Sequence, residues 1–186
     1  MQEEIHNSLK TLKSGGTLLY PTDTVWGLGC DATNAEAVQK IYALKQREES
    51  KALICLVSDV VMLERIFREI PDAAYDIIDH TDKPTTIIYD KPSGIAKNLI
   101  GEDNSLAVRV VKDEFCRQLI RKLNRPIVST SANISGSPTP KSFKEINNEI
   151  LSGVDYVVNL HREKICSQPS TIIKLSGSGL VKIIRK

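Results

Sequence analysis

Apolar positions along the chain alternate between two periods, and that alternation sets the expected elements. Ile5, Leu9 and Leu12 recur at helical spacing over residues 3–13, and Gly15-Gly16 closes that segment. A helix is predicted over 34–47, with Asn34 as N-cap and Ala37, Val38, Ile41, Tyr42 and Leu44 on its apolar side. Further helices are expected after a Ser58 cap, from Pro71 through Ile78, over 113–123 (Phe115, Leu119, Ile120, Leu123) and over 143–151. Short apolar or β-branched runs predict strands at 17–20, 52–57, 85–89, 106–110, 127–129, 156–158, 170–175 and 180–185. The last two are joined by Ser176-Gly177-Ser178-Gly179, a hairpin signal. About eight strands and six helices, interleaved early and ending in a hairpin, predict an α/β domain with one open, twisted, mixed sheet flanked by helices.

Composition narrows this picture only modestly. The 186 residues suit one domain, taken as 1–186, and 41% hydrophobic with 26% charged residues is ordinary for a globular chain. A net charge of +2 supplies no global field for a nucleic acid or membrane, so an anion site needs local clustering of cations. The start MQEEIHNSLK lacks a signal-peptide core, and the run at 52–57 is too short to span a bilayer; a cytoplasmic protein with no membrane partner is expected. Cys30, Cys55, Cys116 and Cys166 lack metal or redox spacing and read as reduced thiols.

Familiar catalytic motifs are absent. His6, His80 and His161 form no triad or metal pattern, and there is no GxSxG, GxGxxG or GxxxxGK[ST]. What remains are strand ends rich in hydroxyls and cations. YPTDTVWGLGCD at 20–31 runs from a strand into hydroxyls and spaced glycines, and reads as either an ordinary turn or a ligand loop. Lys45-Gln46-Arg47 with Lys51 reads as helix capping or as a phosphate clamp. STSANISGSPTP at 129–140 reads as a self-capped loop or as a hydrogen-bonding wall. Arg109 lies opposite Leu106, Val108 and Val110 in its strand, so it either pairs with an internal acid or faces a ligand.

GGTLLYPTDTVWGLGCDA, the KQR with Lys51, LAVRV and PIVSTSANISGSPTP, in this order, resemble the YrdC/TsaC family of L-threonylcarbamoyladenylate synthases, and a weaker match from PSTIIKL to IIRK continues to residue 186. The resemblance implies a YrdC-like open α/β sheet with a concave basic cleft. It implies formation of threonylcarbamoyl-AMP and pyrophosphate from L-threonine, bicarbonate and ATP with Mg²⁺. A downstream threonylcarbamoyl-transferase would then modify an adenosine of tRNA. Carried over position by position, Lys45 and Arg47 would be catalytic. Lys45, Arg47, Lys51, Thr86, Ser131, Asn133, Thr139 and Arg185 would bind ATP, and Thr24, Ser129 and Thr171 would bind threonine; no metal ligand is implied. Asp90 stands where some members have an arginine, which removes that route to the threonine carboxylate. A YciO-like paralogue with another substrate, and a module contacting tRNA or double-stranded RNA, are the alternative readings.

Overall fold

The computed structural model describes residues 1–46, 53–166, 169–175 and 180–185. In chain order these form α1 (Gln2–Lys13), β1 (Leu18–Tyr20), β2 (Gly27–Gly29), α2 (Ala35–Leu44), β3 (Ile54–Val57), α3 (Val60–Ile66), α4 (Asp72–His80), β4 (Thr85–Asp90), β5 (Ser105–Val110), α5 (Glu114–Leu123), β6 (Ile127–Ser131), α6 (Asn148–Gly153), β7 (Tyr156–Val157), β8 (Thr171–Leu175) and β9 (Val181–Arg185). Short 3-10 turns occupy Lys97–Leu99 and Phe143–Glu145.

The strands join in one sheet, ordered β7-β1-β2-β6-β3-β5-β4-β8-β9. β1–β7, β3–β5 and β4–β8 are parallel, and the other pairs are antiparallel. The expected mixed α/β sheet is therefore observed. The Ser176–Gly179 connection lies outside the described residues, but β8 and β9 do pair antiparallel.

Period-2 alternation gives the sheet two unlike faces. Leu106 and Val108 of β5, Ile87 and Tyr89 of β4, and Cys55 and Val57 of β3 are buried in the continuous core. α3 packs on β3 and β5, and α5 packs on β3. α5 buries Phe115, Cys116, Leu119, Ile120 and Leu123, a single helical stripe. Asp113 accepts from the Cys116 amide at its start, and Asn124 ends it in the left-handed region at φ 57°.

Three local expectations change. β2 forms where two spaced glycines read as a turn. A β-carbon on Gly29 would stand 2.2 Å from the Val128 carbonyl oxygen, so glycine there serves close strand approach rather than a bend. Asp59, not Ser58, caps α3, accepting from the Met62 amide while the Ser58 hydroxyl donates to the same carboxylate. The segment 143–151 divides into a 3-10 turn and α6, because Asn147 starts a new helix by accepting from the Glu149 amide.

Candidate active site

A cleft of about 280 Å³ lies on the sheet face opposite Leu106 and Val108. Its floor is apolar: Ile54 of β3, Ala107 of β5, Ile88 of β4 and Ile172 of β8. Its rim is polar, and two arginines flank it.

Arg109 stands on the central strand β5 and is 4% exposed. A guanidinium so removed from water needs a counter-charge, and Asp23 of the β1–β2 turn supplies it, with Nη2 2.9 Å from Oδ1. Nη1 donates to Thr24 Oγ1 at 3.4 Å, while the buried Nε has no hydrogen-bond partner among the described residues. Arg109 thus fits both readings offered by strand alternation: it pairs with an acid and lines the cleft. Its place on the strand face opposite Leu106 and Val108 is the signal that offers both roles.

Arg185 ends β9 at the other side of the cleft. Its Nε and Nη2 donate to the Ser170 carbonyl at 3.1 and 2.8 Å, which aims the side chain without neutralising it. Burial pulls its pKa below the usual arginine value, and the charge of Arg109 adds to that pull. The two cations therefore act on one another across the cleft, an arrangement that favours an incoming anion. Among the described residues that line the cleft there is no carboxylate.

Of the residues singled out by sequence, Thr24, Ser129, Ser131, Thr139 and Arg185 meet in this cleft. Gly27 lies between them; a β-carbon there would come within 3.3 Å of Ser129 Oγ. Thr130, within the hydroxyl-rich stretch 129–140, also lines it, as does Ser170, which sequence alone does not single out.

Four expected residues stand elsewhere. Thr86 is fully buried, with its hydroxyl 2.8 Å from that of Ser170, so it supports the wall without lining it. Thr171 is turned from the cleft because Ser170 and Ile172, its neighbours on either side, take the cleft-facing parity. The amide nitrogen of Asn133 donates to the Ile134 and Ser137 carbonyls, at 3.1 and 2.7 Å, and so pins the loop after β6, while its buried Oδ1 has no hydrogen-bond partner among the described residues. Lys45 is 1% exposed rather than displayed on a surface clamp. Its ammonium donates to the Ser131 and Asn133 carbonyls at 2.5 and 2.7 Å, and the Ser135 amide donates back to the Lys45 carbonyl at 2.9 Å. Lys45 ties the end of α2 to the hydroxyl-rich loop. Arg47 and Lys51 lie outside the described residues.

The chemistry available is anion binding and positioning. No histidine is among the described lining residues. Burial pushes the Cys55 thiol up to about 12, and it raises Cys30 and Cys116 as well, so these thiols stay protonated and unreactive. No group of three or more histidine, cysteine, aspartate or glutamate side chains among the described residues could hold a metal ion.

Matches to known proteins place the chain in a family. A family model for Sua5, YciO and YrdC, described as "Telomere recombination", matches residues 10–186. A threonylcarbamoyl-AMP synthase of Idiomarina loihiensis is 34% identical over 84% of this chain and 84% of its own length. One of Psychromonas ingrahamii is 38% identical over 81% of each. Sua5 of P. abyssi, solved with L-threonine, superposes with a TM-score of 0.82 at 28% identity, over 92% of this chain and 50% of that one. E. coli YciO shares the fold at a TM-score of 0.86 and 22% identity, over 100% and 90%. The chain spans about half the length of the Sua5 structures it matches. With a family match from residue 10 to the last and relatives above 30% identity over most of its length, the chain belongs to the Sua5/YciO/YrdC family.

Proposed function

We propose that this protein is a nucleotidyltransferase that forms threonylcarbamoyl-AMP and pyrophosphate from L-threonine, bicarbonate and ATP. The observation that carries the proposal is the cleft itself: two arginines and a row of hydroxyls, with no lining carboxylate among the described residues. Such a surface suits a substrate pair that brings a carboxylate, a carbamate and a triphosphate together.

The reaction needs little acid–base chemistry from the protein. Threonine's amine and bicarbonate give a carbamate and water. A carbamate oxygen, already anionic, attacks the α-phosphorus; a phosphorus–oxygen bond forms, the bond to the bridging oxygen of the β-phosphate breaks, and pyrophosphate leaves. Positioning and cationic stabilisation of the transferring and leaving phosphates are the main requirements. Arg109, with Thr24 and Ser129, takes the amino acid. Arg185, with Ser131 and Thr139, takes the nucleotide. Arg47 and Lys51 add phosphate charge, and Lys45 holds the loop that carries Ser131. Mg²⁺ arrives as part of the ATP substrate, bound by phosphate oxygens and water.

The product then passes to a transferase that acts on tRNA, which makes a tRNA contact and a cytoplasmic setting part of the proposal. No helix among the described residues is long and apolar enough to cross a membrane.

Mass detection of the adenylate tests the reading. Threonylcarbamoyl-AMP should accumulate only when ATP-Mg, threonine and bicarbonate are all present. Pyrophosphate release indifferent to threonine and bicarbonate would assign the chain to a YciO-like branch with another substrate. Salt-sensitive RNA binding without ATP binding would favour an RNA module.

A further inference from the structure

We propose that Thr22, which does not line the cleft, is a positioning residue that makes the Thr24 hydroxyl an obligatory acceptor. The cleft would then recognise its amino acid through an N–H or O–H donor placed beside the carboxylate. The inference rests on the threonine reading above.

The argument follows the protons. Thr22 and Thr24 are each 4% exposed, so neither hydroxyl can rely on bulk water. A threonine hydroxyl has one proton and two lone pairs. The Thr22 hydroxyl donates its proton to the Val25 carbonyl at 2.7 Å. The Thr24 amide donates to Thr22 Oγ1 at 3.0 Å, filling one lone pair. The two hydroxyl oxygens are also 3.0 Å apart. Since Thr22 has used its proton, Thr24 must be the donor in that bond, and the second lone pair of Thr22 is filled. The Thr24 proton is therefore turned inward.

Thr24 Oγ1 then offers only lone pairs. One faces Arg109 Nη1 at 3.4 Å. The other belongs to an oxygen on the cleft wall with no further partner among the described residues. Arg109 attracts an anion, while the adjacent oxygen repels an acceptor and welcomes a donor. A carboxylate with a neighbouring carbamate N–H, ammonium or hydroxyl satisfies both groups. A simple anion satisfies only the arginine and sets an acceptor against an acceptor. Thr22 thereby helps to distinguish an amino acid from an inorganic anion without touching either.

A double-mutant cycle on threonine affinity tests this, with calorimetry on the full chain and ATP-Mg as the control titrant. Thr22→Val keeps the side chain's shape and removes its hydroxyl. The threonine Kd should rise about three- to tenfold, the worth of one neutral hydrogen bond, while ATP-Mg affinity stays within about twofold. Thr22→Ser keeps the hydroxyl and should recover wild-type affinity. Thr24→Val should weaken threonine at least as much as Thr22→Val, and the double variant should lose no more than Thr24→Val alone. Additive losses, an equal loss of ATP-Mg affinity, or a Thr22→Ser protein as weak as Thr22→Val would overturn the proposal. Should Thr22→Val fail to fold, Thr22→Cys carries the same comparison, since its thiol is a weaker acceptor. A wild-type protein that binds ATP-Mg but not threonine would sink the functional reading instead.

Discussion

Arg109 and Arg185 face one cleft from opposite kinds of surroundings. Arg109 is enclosed on a central strand, held by Asp23 at 2.9 Å. Arg185 sits on the outermost strand, whose neighbours Val181, Ile183 and Ile184 are about half exposed, and it is held only by neutral groups, the carbonyl and hydroxyl of Ser170. The first is partly neutralised and fixed before any ligand arrives. The second keeps its full charge and more freedom. The difference suits two tasks: a fixed fork for a small carboxylate, and an adaptable cation for a large, multiply charged nucleotide.

Removing Arg109 should have the largest effect. Arg109→Met leaves Asp23 unpaired, which for a buried pair costs about 3–5 kcal/mol. Asp23 is 17% exposed, so the lower part of that range applies. The unfolding temperature should fall by roughly 6–12 °C, and threonylcarbamoyl-AMP formation by more than about a hundredfold. Arg109→Lys, which keeps the charge but loses the fork, should remain folded and still bind threonine poorly. Unchanged threonine affinity in that variant would break the comparison.

Lys45→Met comes next. It deprives the Ser131 and Asn133 carbonyls of charge-assisted hydrogen bonds worth about 1.5–3 kcal/mol net each. Turnover should fall tenfold to a hundredfold, together with the unfolding temperature. A loss of turnover with unchanged thermal stability would return Lys45 to direct phosphate contact, and unchanged turnover would remove it from the site.

Arg185→Gln should be milder and of a different kind. The KM for ATP should rise about tenfold, the KM for threonine should hold, and melting should shift by no more than about 2 °C. A destabilisation matching that of Arg109→Met would erase the contrast between the two walls.

Acid should separate the walls most gently. Asp103 accepts from Lys174 Nζ at 2.7 Å and from the Ser105 hydroxyl at 2.5 Å, which holds its carboxyl below the usual 3.8. A depressed folded pKa contributes stability above the unfolded value and loses it as pH falls through the folded one. The protection of β8 and β9 amides, taken relative to the intrinsic exchange rate at each pH, should therefore fall below about pH 4. A β5 that loosens first would contradict this.

Much of the architecture was legible because it rests on local rules. The stripe of α5 and the alternation in β5 state their partners directly. The readings that stay open are those where a local signal has more than one physical cause. Glycine marks both a bend and a close strand approach, and at Gly29 the second applies. A lysine at a helix end suits the helix dipole, a phosphate or a buried loop, and Lys45 reaches the loop carbonyls of Ser131 and Asn133. Adjacent hydroxyls at Ser170 and Thr171 are equivalent by composition, and only strand register decides that Ser170 faces the cleft. Thr22 illustrates the remaining gap. Its role depends on which oxygen keeps a proton, and no spacing pattern records that.

The strand order also bears on how the protein is made. β4 gains its outer neighbour only when β8 arrives from far along the chain, and β9 brings Arg185 last. A polypeptide still emerging from the ribosome before residue 170 would have Arg109, Asp23 and the hydroxyls of Ser131 and Thr139, but not Arg185. Such non-local pairing slows assembly. Substrate, which favours only the finished sheet, would stabilise its last-joined strands by mass action.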